Sequence, residues 1–305
     1  MLEKIHHKSA PKEVVNALVT LYHQGKFDDV LSRSSQLIKE YPHTFVLHNI
    51  MGAISFEKGH TEAAIEHFRK VIELRPHHPH AYNNLGAALI DIREYQEAQS
   101  NLEKAIEIQP DYAEAYNNLG NVYKEMEDYT QAISVYEKAI ELNPQYYEAY
   151  NNLGAALGHN TQYEEAEKVL KNVIKLQPTF VDSHYNLAII FSKTSFEKAI
   201  IQLDNIISFN PNNAKLLELK ADYLVAIKKN KEACSIFNKI LKMDTENYLI
   251  ITKILNYKKF ENFTDYKILF HKFKRLINKK NKYFKINRKK RRSITSLIGF
   301  GRSGS

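Results

Sequence analysis

A block of apolar and polar residues returns along the chain with a period of 34 positions. Ala81-Tyr82-Asn83-Asn84-Leu85-Gly86 comes back as Ala115-Tyr116-Asn117-Asn118-Leu119-Gly120 and as Ala149-Tyr150-Asn151-Asn152-Leu153-Gly154. At a constant distance behind each block stand a tyrosine and an alanine: Tyr95 and Ala98, Tyr129 and Ala132, Tyr163 and Ala166. Each period closes on a proline, at Pro42, Pro76, Pro110, Pro144 and Pro178, with Pro211 one residue early. Proline cannot continue a helix, so it marks the end of one. The small residues (Gly86, Gly120, Gly154 and the three alanines) then fall where two helices cross at about 8–9 Å. Leu85, Tyr82, Leu102 and Tyr136 fill the space beside them. Each period predicts one pair of helices, and no pair buries its apolar face without its neighbours.

Phased on the prolines, the pairs occupy 43–76, 77–110, 111–144, 145–178, 179–211 and 212–245, with a degenerate pair at 9–42. In that first pair Val30 and Ser34 replace the usual alanine and large apolar residue, as expected of a worn terminal cap. The missing residue of 179–211 is expected in the turn Ser192-Lys193-Thr194-Ser195, because Phe191, Phe196 and Ala199 keep their places around it. Beyond 245 the motif fades into two more helical patterns. The second puts Tyr266, Leu269, Phe270, Phe273, Leu276 and Ile277 on one face, with lysines opposite. The expected organisation is an N-terminal extension (1–8), a repeat array (9–245), capping or adaptor helices (246–282), and a basic linker with a different terminal segment (283–305).

The period, the blocks and the prolines resemble the tetratricopeptide signature over 9–245. That resemblance implies an all-α, right-handed solenoid of about seven helix–turn–helix units, used to hold protein or peptide partners on its concave face.

Charge divides the chain. Seventeen Lys and Arg against Glu261 and Asp265 give residues 253–305 a net +15, so the remainder carries −7 of the overall +8. The single Cys234 excludes an internal disulfide and lies on an apolar helix face, where it reads as a small core residue. The first eight residues lack the apolar stretch of a signal peptide, and no run of about 18 apolar residues can span a bilayer. A cytoplasmic location is expected.

The second asparagine of each block, Asn84, Asn118, Asn152 and in phase Asn186, is expected to project into the groove. This stack of primary amides resembles the asparagine ladder of the O-linked N-acetylglucosamine transferase superhelix, which grips the backbone of an extended peptide. An amide both donates and accepts, so it pairs with a peptide unit whatever the side chain. Replacing Asn118 and Asn152 by Ala is expected to weaken peptide binding with little change in thermal stability. The clamp that recognises C-terminal carboxylates needs basic residues at positions occupied here by His80, Glu114 and Glu148, so a carboxylate terminus is not the expected ligand. His77, His78 and His80 lie in an inter-repeat turn without Cys or carboxylate partners at ligand spacing, and no metal is expected.

Two segments follow the array. Lys279-Lys280-Asn281-Lys282 and Arg288-Lys289-Lys290-Arg291-Arg292 read as a solvated linker, with a nucleic-acid-contacting patch at 279–292 as the alternative. Ile294 to Phe300 is a short β-branched and apolar run entering Gly301-Arg302-Ser303-Gly304-Ser305. Glycines 299, 301 and 304 match the frame of a dinucleotide fingerprint, and 299 and 304 that of a P-loop, but Ser305 stands where the P-loop needs lysine. The segment also resembles the 5′-phosphosulfate loop of sulfotransferases. That resemblance implies that Gly301, Arg302, Ser303, Gly304 and Ser305 contact PAPS, with Arg302 supplying a bidentate donor. On this reading the chain is the recruiting arm of a tetratricopeptide sulfotransferase, cut inside its catalytic domain. On the same reading these 305 residues are expected to hold no cofactor and not to be catalytically complete. A glycosyltransferase arm and a free-standing scaffold with a basic tail are the alternatives.

Overall fold

A computed structural model describes residues 9–244 and 246–257, together with Lys272, Lys274 and Arg275. The described chain is all helical, without a strand among the described residues. Its fifteen helices are α1 (Lys12–His23), α2 (Phe27–Glu40), α3 (Phe45–Glu57), α4 (Thr61–Leu74), α5 (Pro79–Asp91), α6 (Tyr95–Ile108), α7 (Ala113–Glu125), α8 (Tyr129–Leu142), α9 (Tyr147–His159), α10 (Tyr163–Leu176), α11 (Val181–Ser192), α12 (Phe196–Phe209), α13 (Ala214–Ala226), α14 (Asn230–Met243) and α15 (Tyr248–Tyr257). They make seven pairs followed by one further helix. Two compact units result, the first reaching Pro178 and the second beginning at Thr179.

In the first unit the two helices of each pair pack on one another, and α2, α4, α6 and α8 pack on the first helix of the next pair. The first helices α3, α5, α7 and α9 also touch one another in order, so their open sides form one continuous face. Ala64, Phe68, Leu85, Leu102, Leu119 and Val122 join three pairs in a single buried cluster. Stacking is therefore what removes these side chains from water, at about 1.5–3 kcal/mol for each large one. In the second unit Leu217, Phe237, Ile240, Ile250 and Ile254 do the same for α13, α14 and α15. Cys234 is buried there, 5% exposed, with a free thiol.

The crossing points depend on the glycines. A Cβ placed on Gly120 would lie 2.5 Å from the Tyr136 ring, and one on Gly86 or Gly154 would lie 2.6 Å from Leu102 or Leu170. The first pair solves the same crossing in reverse. Leu18 stands in the register of those glycines, 1% exposed, and Ser34 in the register of the large residue, 0% exposed. In the repeat register a larger residue at Leu18 thus stands opposite a smaller one at Ser34, and the Ser34 hydroxyl is buried without a hydrogen-bond partner.

Between the two helices of a pair the chain needs a left-handed residue. Gly25, Gly59, Arg93, Glu127, Thr161 and Lys228 all take positive φ. The pair α11–α12 has none, which locates its missing residue in the expected turn: α11 stops at Ser192, and Ser195 caps α12 by accepting from Lys198 N at 3.2 Å. Residues preceding the prolines, such as Gln109 with φ −133° and ψ 90°, are driven extended and end each second helix. The expected amphipathic helix over 266–277 and the expected strand and loop over 294–305 lie outside the described residues.

Candidate peptide-binding face

The signature asparagines come as pairs with opposite roles. The first of each pair, Asn83, Asn117 and Asn151, is buried at 0%, 5% and 9% exposure. The second, Asn84, Asn118 and Asn152, is half-buried on the face formed by α5, α7 and α9. Side chains one residue apart on a helix diverge by about 100°, so one turns toward the neighbouring pair while the other stays at the surface.

The two sets are tied across pairs. Asn118 Nδ2 donates to Asn83 Oδ1 at 2.9 Å, and Asn152 Nδ2 donates to Asn117 Oδ1 at 3.0 Å and to Asn121 Oδ1 at 3.3 Å. Tyr136 passes beneath Gly120 and donates its hydroxyl to the same Asn121 Oδ1 at 2.7 Å. The amide planes of Asn118 and Asn152 are thereby held by the preceding pair, and no hydrogen bond among the described residues uses their carbonyl oxygens. Sequence reasoning placed these residues on the face but missed the bracing, which is a contact between repeats. It also changes the expected mutant: removing Asn118 and Asn152 strips partners from buried oxygens, so stability falls along with any binding.

Asn84 differs. Its amide nitrogen makes no bond to the preceding pair, and Asn49 Oδ1, the acceptor in the corresponding register, is buried without a partner. Asn84 Oδ1 receives only a long contact of 3.5 Å from Asn83 Nδ2. The fourth expected rung, Asn186, is half-buried on α11 in the second unit.

Acids and phenols flank the ladder. Asn83 Nδ2 donates to Glu114 Oε1 at 3.0 Å, and His80 Nδ1 lies 2.7 Å from the Tyr112 hydroxyl. Burial first, and then the Glu114 carboxylate, raise the Tyr112 phenol well above its ordinary range. The Tyr146 phenol is pushed up to about 12 by burial, with Glu114 and Glu148 adding to the effect. Both phenols therefore stay protonated, and the only negative charges at these positions are carboxylates. His80 belongs to this network rather than to a passive turn. Its neighbours His77 and His78 line a surface cavity of about 460 Å³, where His78 Nδ1 is buried without a partner. Among the described residues no group of three or more His, Cys, Asp or Glu has the geometry to hold a metal.

The same register recurs at α15 in charged form. Lys253 Nζ donates to Glu218 Oε1 at 2.7 Å and to Asp222 Oδ2 at 2.7 Å, at sequence separations of 35 and 31. These are the separations by which Asn152 reaches Asn117 and Asn121. Helix α15 therefore keeps the repeat phase beyond 245, although no signature residue advertises it. No helix among the described residues is long and apolar enough to cross a membrane. The phosphosulfate-loop residues Gly301, Arg302, Ser303, Gly304 and Ser305, and the basic segment 279–292, lie outside the described residues.

Comparison with known proteins agrees with this architecture. Residues 77–145 and 135–168 match families described as tetratricopeptide repeat, and residues 52–92 match one described as TPR repeat. No curated protein sequence matches significantly. Among solved structures, a tetratricopeptide repeat protein from Parabacteroides merdae shares the fold with a TM-score of 0.66 at 16% identity, covering 80% of this chain and 96% of that one. MamA from Desulfovibrio magneticus RS-1 superposes with a TM-score of 0.50 at 25% identity over 55% of this chain and 96% of its own. A further MamA structure is 31% identical over 51% of this chain and 91% of its own, with a TM-score of 0.47. The family matches fall between residues 52 and 168, on the helix pairs from α3 to α10, and the chain belongs to the tetratricopeptide repeat proteins.

Proposed function

We propose that the face of α5, α7 and α9 binds an extended peptide, and that the chain serves as a protein-interaction scaffold. The observation that carries this reading is the bracing of Asn118 and Asn152. Each donates from its amide nitrogen to the preceding pair, which fixes the amide plane and with it the carbonyl oxygen. Fixed acceptors at one-repeat spacing suit the backbone N–H groups of an extended chain and lose little rotamer entropy on binding. Each bond contributes about 0.5–1.5 kcal/mol, so useful affinity needs several rungs. Glu114 and Glu148 beside the ladder favour a ligand without acidic side chains there. The test is selection of binders from a random 12-residue display library on the whole chain, followed by scanning N-methylation of the selected peptide. Methylation at alternate residues that face the ladder should abolish binding. Recovery of no binder, or indifference to methylation at every position, overturns the reading.

A second reading rests on Gly301-Arg302-Ser303-Gly304-Ser305: the array recruits protein substrates to a PAPS-dependent sulfotransferase. The support is the segment's resemblance to a phosphosulfate loop, in which backbone amides and a guanidinium hold the oxyanion. Calorimetric titration of PAPS into the product of the complete reading frame tests it. Arg302→Ala should weaken binding by about tenfold to a hundredfold, the effect of losing about 1.5–3 kcal/mol. Absence of PAPS binding by that product rejects the assignment.

A further inference from the structure

Charge is sorted by helix in the first unit. The second helices neutralise themselves through the ion pairs Lys70–Glu73 on α4, Lys104–Glu107 on α6, Lys138–Glu141 on α8 and Lys171–Glu167 on α10. The first helices α3, α5, α7 and α9 carry Glu57, Asp91, Glu114, Glu125 and Glu148 against one cation, Lys124. All five carboxylates are exposed. Lys124 lies 3.5 Å from Glu125, and the other four form no ion pair among the described residues.

These acids keep step with the asparagines. Glu114 and Glu148 stand four residues before Asn118 and Asn152, one turn toward the helix start on the same face. Asp91 and Glu125 stand seven residues after Asn84 and Asn118, two turns toward the helix end, and Glu57 holds the same register on α3. The ladder thus runs between two rows of carboxylates. Glu57, Asp91 and Glu125 are the last residues of their helices. An anion there opposes the helix dipole, so this row works against the stability of the helices that carry it. Asp91 accepts from the Thr61 hydroxyl at 2.6 Å, a neutral donor that leaves its charge uncompensated.

We propose that the two rows select an extended segment of a partner protein rich in Lys and Arg. This rests on the peptide-binding reading above and names the chemical class of its ligand. A chain whose backbone groups meet the ladder points its side chains at right angles to those bonds, alternately toward the helix starts and the helix ends. One set faces Glu114 and Glu148, the other Glu57, Asp91 and Glu125, so the ligand carries cations at successive residues. Lys and Arg suit these rows because their long apolar stems lie along the protein while the charged head reaches the edge. Rows of one sign also repel acidic segments and speed encounter with basic ones.

The probe is the set of 12-residue peptides selected from a random display library on the whole chain. Lys and Arg should outnumber Asp and Glu in that set by at least threefold, and raising NaCl from 50 to 500 mM should weaken a selected peptide at least tenfold. Glu57→Gln, Asp91→Asn and Glu125→Gln together should lower affinity at least tenfold. The same triple variant should leave the thermal midpoint of the free chain unchanged or higher, because it removes anions from helix ends. Glu62→Gln, Glu137→Gln and Glu164→Gln remove equal charge from second helices and should change affinity less than threefold. An equal loss in both triple variants, a first-helix variant within threefold of wild type, or selected peptides without an excess of Lys and Arg overturns this inference and leaves the peptide-binding reading standing. A library that yields no binder overturns both.

Discussion

Asn118 reaches back 35 residues to donate its side-chain amide to Asn83, and Lys253 reaches back the same 35 residues to Glu218. The separation is one repeat plus one residue, so each contact joins the second signature position of one pair to the first signature position of the pair before. In the first unit the joint is neutral, amide to amide. In the second it is ionic, and Lys253 Nζ also lies 5.5 Å from the Phe237 ring centroid. Burial pulls the Lys253 ammonium toward lower pKa, but its bonds to Asp222 and Glu218 outweigh this and hold it above the ordinary lysine value. One geometric device thus serves two chemistries.

Bracing predicts that the ladder residues are not equivalent for stability. Asn118→Ala leaves Asn83 Oδ1 buried and unmet and should cost about 1–3 kcal/mol, and Asn152→Ala should cost a similar amount. Asn84→Ala should stay within about 0.5 kcal/mol of wild type. Urea unfolding of the three variants checks this ordering. Equal losses at all three positions would contradict it.

The reversed crossing of the first pair predicts compensation. Leu18→Gly opens a cavity against Ser34 and should destabilise by about 3–5 kcal/mol. Adding Ser34→Leu restores the arrangement seen at Gly86 with Leu102, and the double variant should recover at least half of the loss. A double-mutant cycle read by thermal unfolding measures the coupling, and strict additivity would show that the two positions do not share one crossing.

Thr161 turns the chain between α9 and α10 at φ 63°, where a β-branched residue is poorly accommodated. Gly25 and Gly59 take the same conformation in the first two pairs. Thr161→Gly should therefore raise stability by about 0.5–1 kcal/mol, the strain relieved exceeding the extra freedom of the unfolded chain. Chemical denaturation would show the gain, and a loss would mean that the Thr161 side chain stabilises this turn.

The His48–His67 pair predicts sensitivity to acid. His48 Nδ1 and His67 Nδ1 are 3.2 Å apart, and His48 Nε2 donates to Pro42 O at 3.1 Å, so the neutral form of His48 accepts at Nδ1. Burial lowers both imidazoles below the ordinary 6.5. His43 and Lys70 act in the same direction on His48, and His48 does so on His67, while Glu73 and Glu66 oppose. The unfolded chain therefore binds more protons than the folded one, so the stabilisation is complete above about pH 6.5 and is lost as pH falls through the lowered folded values. His48→Tyr with His67→Asn installs the residues of the next pair, Tyr82 and Asn101. This variant should show a smaller drop in urea midpoint between pH 7.5 and pH 5 than wild type, and an unchanged drop would acquit the pair.

Much of the architecture is legible without coordinates. The 34-residue return of Gly, Ala and Pro dictates helix pairs, their crossings and their ends, because these residues act through steric properties that any neighbour imposes. It also dictates which asparagines share a face, since that follows from helical periodicity alone. The tertiary structure decided the rest. Whether an asparagine braces a neighbouring pair depends on the register between stacked helices, where identical amides differ only in which partner comes within about 3 Å. Ser34 breaks the pattern when taken singly; that it and Leu18 are both buried, with the large and small residues exchanged relative to Gly86 and Leu102, is a matter of the structure. Lys253 was invisible as a rung for the same reason. Its chemistry departs from the motif, while the contact that defines the rung is a matter of geometry between helices 31 and 35 residues apart.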